Sequence, residues 1–205
     1  MFIPISRPII GAAEETAVLE VLRSGMIAGG AKVTAFEESF AQFIGADHAI
    51  AVNSGTSALI IGLAAIGIGP GDEVIVPSFT FAATANAVAF LGAQPIFADV
   101  DPETYVITSE TVAPLINNRT KAVMPVHLFG HPSPLEELLA LTAAHNLDLL
   151  EDAAQSHGAT DQGSMTGSAG TFAAFSFYPT KNMTTGEGGM ITTSNSEVNR
   201  LSRLL

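Results

Sequence analysis

The sequence contains no cysteine. A disulfide framework and a thiolate metal site are therefore both excluded, a composition that fits a cytoplasmic protein. Basic residues are scarce: Lys and Arg total 8 against 20 Asp and Glu, a formal net charge of −12. Nucleic-acid surfaces need clustered Lys and Arg to displace counterions, so no nucleic-acid partner is expected. An anionic small ligand remains open, because backbone N–H groups act locally against the global charge. Long apolar runs are missing too. The richest, Ala58 to Ile68, is broken by Gly62 and Gly67 and is far short of a membrane span. Met1 to Arg7 holds no basic stretch followed by an apolar one, so no signal peptide is expected. His127, His131 and His157 lack the i, i+4 spacing of a helical metal site, and no HExxH-like motif occurs. No metal is expected.

What is present is a chain of 205 residues, 47% hydrophobic, enough for one sizeable core. Pro4 to Ile10 reads as extended. Gly11–Arg23 and Ala31–Ile44 have helical spacing, the second with Val33, Phe36, Phe40 and Phe43 on its apolar side. From there short apolar strands alternate with helices: strands at Ala49–Val52, Glu73–Pro77, Pro95–Val100, Ala122–His127 and Leu147–Asp152, and helices at Thr56–Ile66, Thr80–Leu91, Ser109–Ile116 and Pro134–His145. Two more strands, Thr171–Phe177 and Met190–Thr193, precede a last helix at Ser196–Leu205. This grammar predicts an α/β fold with a mainly parallel sheet covered by helices, its ligand lying outside the carboxyl ends of the strands. The final helix stops on Leu204-Leu205 without a polar exit, so the chain reads as cut.

Three strand ends carry chemistry-bearing residues. Asn53-Ser54-Gly55-Thr56-Ser57-Ala58 enters a helix with glycine and hydroxyls, which makes either a phosphate cradle or an ordinary helix cap. Leu149-Leu150-Glu151-Asp152 ends in two carboxylates that alternation sends to opposite faces. One of them binds a cation or acts as a base, or caps the next turn. Phe79 and Phe81 follow the strand at Pro77, placed over a flat ligand or in the core. The fourth feature is Lys181. The chain has three lysines, Lys32, Lys121 and Lys181, and the last sits on a Thr/Gly-rich loop between two buried strands. It is either a solvated surface lysine beside a hairpin or one held against a cofactor and partly desolvated, which would make it nucleophilic.

The segments PGDEVIVPSFTF, EDAAQSHGA and SFYPTKNMTTGEGG together resemble the DegT/DnrJ/EryC1/StrS aminotransferases, and the likeness runs from Ile5 to the last residue. The resemblance implies an aspartate-aminotransferase-like large domain (fold type I of the enzymes using pyridoxal 5′-phosphate, PLP). It spans residues 1–205 with an N-terminal segment over about 1–30, and the C-terminal small domain is absent. It implies that Gly55, Thr56, Ser57 and Ser176 hold the PLP phosphate and Phe81 stacks on the ring. Asp152 would pair with the pyridinium nitrogen, Gln155 lie beside the ring hydroxyl, and Lys181 form the Schiff base. Lys181 and Asp152 are thus the expected catalytic pair. The implied reaction moves an amino group from an amino acid, glutamate or glutamine, to a nucleotide-linked keto-sugar for cell-surface polysaccharide. The implied assembly is a cytoplasmic homodimer whose partner chain completes each site, so the 205-residue chain alone should be inactive. Two other readings stand beside it. A PLP-dependent sugar dehydratase would carry histidine in place of Lys181. A non-catalytic phosphate- or nucleotide-binding module has no use for Asp152 and Lys181 together.

Overall fold

A computed structural model describes residue 4 and residues 6–205. Residues 1–3 and 5, part of the expected extended opening and of the Met1–Arg7 stretch, lie outside the described residues. Two helices come first, α1 (Ala12–Ser24) and α2 (Ala31–Ile44), followed by β1 (His48–Val52), α3 (Gly55–Ala65), β2 (Glu73–Pro77), α4 (Ala83–Phe90), β3 (Gln94–Ala98) and α5 (Ser109–Val112). The second half holds β4 (Thr120–Val123), α6 (Leu135–His145), β5 (Asp148–Asp152), a small hairpin of β6 (Thr160–Asp161) and β7 (Ser164–Met165), β8 (Phe172–Ser176), β9 (Gly189–Thr193) and α7 (Ser196–Ser202). Seven strands form one sheet in the order β1-β9-β8-β5-β4-β2-β3. The pairs from β3 through to β8 are parallel, whereas β9 runs antiparallel to both β1 and β8. The mainly parallel sheet expected from the sequence is present, with β9 as its one reversed strand.

Helices cover both faces. On one face Leu63 of α3 and Val88 of α4 pack over Val76, Leu150, Phe172 and Ile191. On the other, Phe40 of α2 meets Phe175, Phe177 and Met190, and Leu138 of α6 meets Ile75, Val123 and Leu149. Burial on both faces explains why these strands read as continuous apolar runs. In α2, Phe40 and Ile44 are buried while Val33 and Phe43 stay largely exposed, so the apolar stripe is narrower than its spacing implied. Helix α1 forms with Glu14 reaching back to the Gly11 N–H at 2.8 Å, yet none of its residues is buried. Its apolar side chains Val18, Leu19 and Leu22 face outward.

Several boundaries moved for local reasons. Helix α4 begins at Ala83 and not Thr80, because the Thr84 N–H turns to the Phe81 carbonyl at 3.1 Å and the i to i−4 ladder starts only with Asn86 N on Ala82 O. Strand β4 stops at Val123 because Pro125 has no N–H to continue it; only Val126 returns, as a single bridge to Asp152. Pro114 likewise turns the end of α5 into one tight 3₁₀ turn. The β6/β7 hairpin, two residues a side, is too short for periodicity to reveal.

Close packing between α3 and β8 depends on Gly62. A Cβ added there would lie 2.6 Å from Phe172 Cζ, well inside van der Waals contact. Gly62→Ala is expected to destabilise the fold by about 1–3 kcal/mol, the usual cost of overpacking a core. Urea melts check this; an unchanged midpoint would show that the Phe172 ring can retreat.

Candidate active site

Alternation along two neighbouring strands sorts the side chains. In β8, Phe172 and Ala174 face α3 while Ala173 and Phe175 face α2, so Ser176 returns to the α3 side. In β5, Leu150 faces α3, which sends Asp152 to the same side and Glu151 to the other. The ends of β1, β2, β5 and β8 therefore converge on one edge of the sheet. A cavity of about 470 Å³ opens there, lined among others by Ser54, Gly55, Thr56, Phe81, Asp152, Gln155, Ser176 and Lys181. That volume lies within the range of small-molecule sites. Of the site residues expected from the sequence, only Ser57 is absent from this lining. Its hydroxyl lies 3.0 Å from Ser54 Oγ, and its N–H is capped by Ser54 at 3.1 Å.

The head of α3 is shaped to receive an anion. Ser54 accepts the Ser57 N–H on its hydroxyl and the Ala58 N–H on its carbonyl. The N–H groups of Gly55 and Thr56 are then left at the cavity wall with no intrahelical partner. A Cβ on Gly55 would lie 2.7 Å from Ser176 Cβ, so glycine is what lets this helix start come up against the end of β8.

The two carboxylates of β5 have opposite fates. Glu151 is fully buried and accepts from Gly167 N at 2.7 Å, Gly170 N at 2.8 Å, Ala169 N at 2.9 Å and His127 Nε2 at 3.0 Å. Burial pushes its pKa up, but these donors outweigh it and hold the carboxyl below its ordinary value. His127 Nδ1 accepts the Ser133 N–H at 2.9 Å, so the ring's proton is on Nε2 and goes to Glu151. Asp152 has fewer donors: Thr84 Oγ1 at 2.8 Å and Ala154 N at 3.2 Å. Burial raises its pKa, against the pull of those hydrogen bonds and of the Lys181 charge. Its remaining lone pairs belong to the cavity. Thr84 was not anticipated; its one sequence signal is the i, i+4 repeat with Thr80 beside an otherwise alanine-rich helix.

Lys181 is half-buried on the loop joining β8 to β9. Thr184 Oγ1 and Thr185 N both bond the Phe177 carbonyl, at 2.8 and 3.1 Å, and Phe177 N bonds Gly188 O at 2.9 Å, which pins the loop at its base. Burial lowers the lysine's pKa, opposed by the Asp152 charge, without a direct ion pair between them. Gln155 accepts the Phe129 N–H on Oε1 at 2.7 Å, which leaves its NH₂ as the free end. Phe129 holds a left-handed backbone, φ 55°, a conformation that costs a bulky residue energy.

A profile of the DegT/DnrJ/EryC1/StrS aminotransferase family matches residues 8–205. The chain belongs to the DegT/DnrJ/EryC1/StrS aminotransferase family. It is 48% identical to the spore coat polysaccharide biosynthesis protein SpsC of Bacillus subtilis, over 100% of this chain and 52% of SpsC. It is 46% identical to the GDP-perosamine synthase of Caulobacter vibrioides, over 99% of this chain and 55% of that protein. The chain thus spans about half the length of the curated relatives it matches. Among solved structures, Spr1654 of Streptococcus pneumoniae in its PLP form superposes with a TM-score of 0.93 at 32% identity, over 99% of this chain and 57% of its own. The same protein is also solved in a PMP form, and PLP is the cofactor of the DegT/DnrJ/EryC1/StrS enzymes. The residues here fit that group: free N–H groups and hydroxyls for a phosphate, a glycine cradle that a Cβ would fill, a carboxylate, and a half-buried amine share one cavity.

His157 stands behind this site. The rings of Phe175 and Phe177 lie 5.3 and 5.5 Å from its own, and neither ring nitrogen has a hydrogen-bond partner among the described residues. Burial, opposed by the Ser176 backbone and aided by the Lys181 charge, lowers its pKa to about 4. The folded value lies below the unfolded one, about 6.5. The unfolded chain therefore protonates first, and stability carried by the neutral ring is complete above about pH 6.5 and is lost as pH falls toward 4. Urea melts across that window should lose about 3 kcal/mol more in the native sequence than in His157→Phe. Parallel pH profiles would refute this.

Proposed function

We propose that this chain is the cofactor-binding large domain of a PLP-dependent sugar aminotransferase. The observation that carries the reading is the convergence of Lys181, Asp152 and the Gly55–Ser176 cradle on one cavity, in a chain of this family. Gly55, Thr56 and Ser176 would hold the phosphate, with Ser57 supporting the helix start that presents it. Phe81, exposed at the rim, would stack on the ring, and the free NH₂ of Gln155 would meet the ring hydroxyl.

Bound there, PLP supplies the electron sink that lets a C–H bond beside nitrogen break. The chain's own residues do the rest. Asp152 offers the buried negative charge that keeps a ring nitrogen protonated. Lys181, its basicity reduced by burial, would hold the cofactor's aldehyde carbon and, when free, would take and return a proton. The cradle at the head of α3 would fix the phosphate relative to this lysine.

The acceptor we propose is a nucleotide-linked keto-sugar, and the donor glutamate or glutamine. The name of the Caulobacter relative, GDP-perosamine synthase, supports a sugar nucleotide, and that of SpsC supports polysaccharide assembly. We place the whole enzyme in the cytoplasm as a homodimer. The outward apolar side chains of α1, Val18, Leu19 and Leu22, support a partner surface.

Two outcomes test the reading in the whole protein. Reduction with borohydride in the presence of PLP should label the peptide carrying Lys181; label on Lys32 or Lys121 would sink the assignment. Asp152→Asn should lower turnover by about 10²-fold or more, the scale of a positioned electrostatic group, with the apo melting temperature little changed. Near-native turnover would mean that another group partners the ring.

A further inference from the structure

Asp152 is held by a residue that the family reading does not use. Thr84 is completely buried, and its Oγ1 lies 2.8 Å from Asp152 Oδ2, 3.0 Å from Thr80 Oγ1 and 3.1 Å from the Phe81 carbonyl. A hydroxyl has one proton to give. The Phe81 carbonyl already accepts the Thr84 N–H at 3.1 Å, so it does not need that proton. The carboxylate is the stronger acceptor, and charge-assisted bonds prevail over neutral ones. The Thr84 proton therefore goes to Asp152, and Thr80 donates in turn to Thr84.

We propose that Thr84 is the positioning residue of Asp152, and that the Thr80–Thr84–Asp152 relay couples the carboxylate to the segment bearing Phe81. This rests on the cofactor reading above. Ala154 N–H holds Oδ1 and Thr84 holds Oδ2, so the carboxylate plane is fixed from both sides. Two other groups act on Asp152 electrostatically. Lys181 approaches from the β8–β9 loop, and His127 lies beyond the end of β4 with its proton committed to Glu151. Neither hydrogen-bonds the carboxylate, so neither can set its plane. A threonine at this point in α4 also ties the helix start to the sheet, which fixes the height of Phe81 over whatever ring Asp152 engages.

The test uses the whole protein carrying this chain, with pyridoxamine phosphate as probe because it forms no bond to Lys181. Affinity is followed by absorbance from about pH 5 to pH 8 in the native protein, Thr84→Val and Thr84→Ser. Valine keeps the shape and removes the hydroxyl; serine keeps the hydroxyl. Without its donor, Asp152 becomes harder to ionise. Thr84→Val should bind the probe about tenfold more weakly at neutral pH. The acid limb of its binding curve should also shift upward by about one pH unit. Thr84→Ser should keep the native limb and lie within about threefold of native affinity. Native binding and an unshifted limb in Thr84→Val would overturn the proposal alone. So would an equal, pH-independent loss in both variants, which would mark Thr84 as packing. Failure of the native protein to bind pyridoxamine phosphate at all would overturn the cofactor reading as well.

Discussion

One buried carboxylate, Glu151, sets the geometry on which the cavity depends. A lone charge in an apolar sheet is costly, and it persists here because four donors converge on it. Three of them are backbone N–H groups of residues 167–170, the segment that feeds into β8; the fourth is His127, at the far side of β4. The carboxylate thus ties the end of β5 to the segment entering β8 and to the segment that follows β4. Asp152 is the next residue, so the same anchor aims it the opposite way, into the cavity. It also fixes where β8 begins, and by strand alternation where Ser176 ends.

The pair Glu151-Asp152 shows how two identical chemistries are separated by environment. One carboxylate is saturated with donors and held ionised. The other has two, and burial keeps it reluctant to ionise until a cation arrives. Lys181 reads the same field from the other side, its charge disfavoured by burial and partly restored by Asp152. The net charge of −12 has little say in this, since a local balance of a few groups in low dielectric outweighs distant surface charge.

Much of this could be read before any coordinates. The bounds of α2 and β2 were legible from spacing alone, as was the gathering of chemistry at strand ends, because alternation and helical period leave clear marks in buried segments. The lysine loop was legible from its scarce lysine and its Thr/Gly composition. Other features left no mark. The reversed direction of β9 is invisible in Met190-Ile191-Thr192-Thr193, because a short strand buried on both faces shows no alternation that would mark it as antiparallel. Thr84 was hidden because its partner lies far along the chain, and a hydroxyl in a helix has a nearer carbonyl as its ordinary partner. The bonds between Ser57 and Ser54 were likewise not legible, since the same residues suit a cap and a phosphate cradle alike. Exposure of α1 was unreadable too, as spacing shows that a face is apolar and not what covers it.

The antiparallel return of β9 bears on how the cavity comes into being. Strands β8 and β9 are joined by the lysine loop itself, so that loop closes over a short stretch and at small entropic cost. The Ser54–Gly55 cradle, in contrast, comes from the first third of the chain. It meets Ser176 through the packing of α3 on β8, a contact between segments far apart in the chain. The lysine loop is thus a local feature, whereas the cradle exists only where distant segments have come together. A ligand that spans both parts therefore binds the assembled fold in preference to the unfolded chain and stabilises it by mass action.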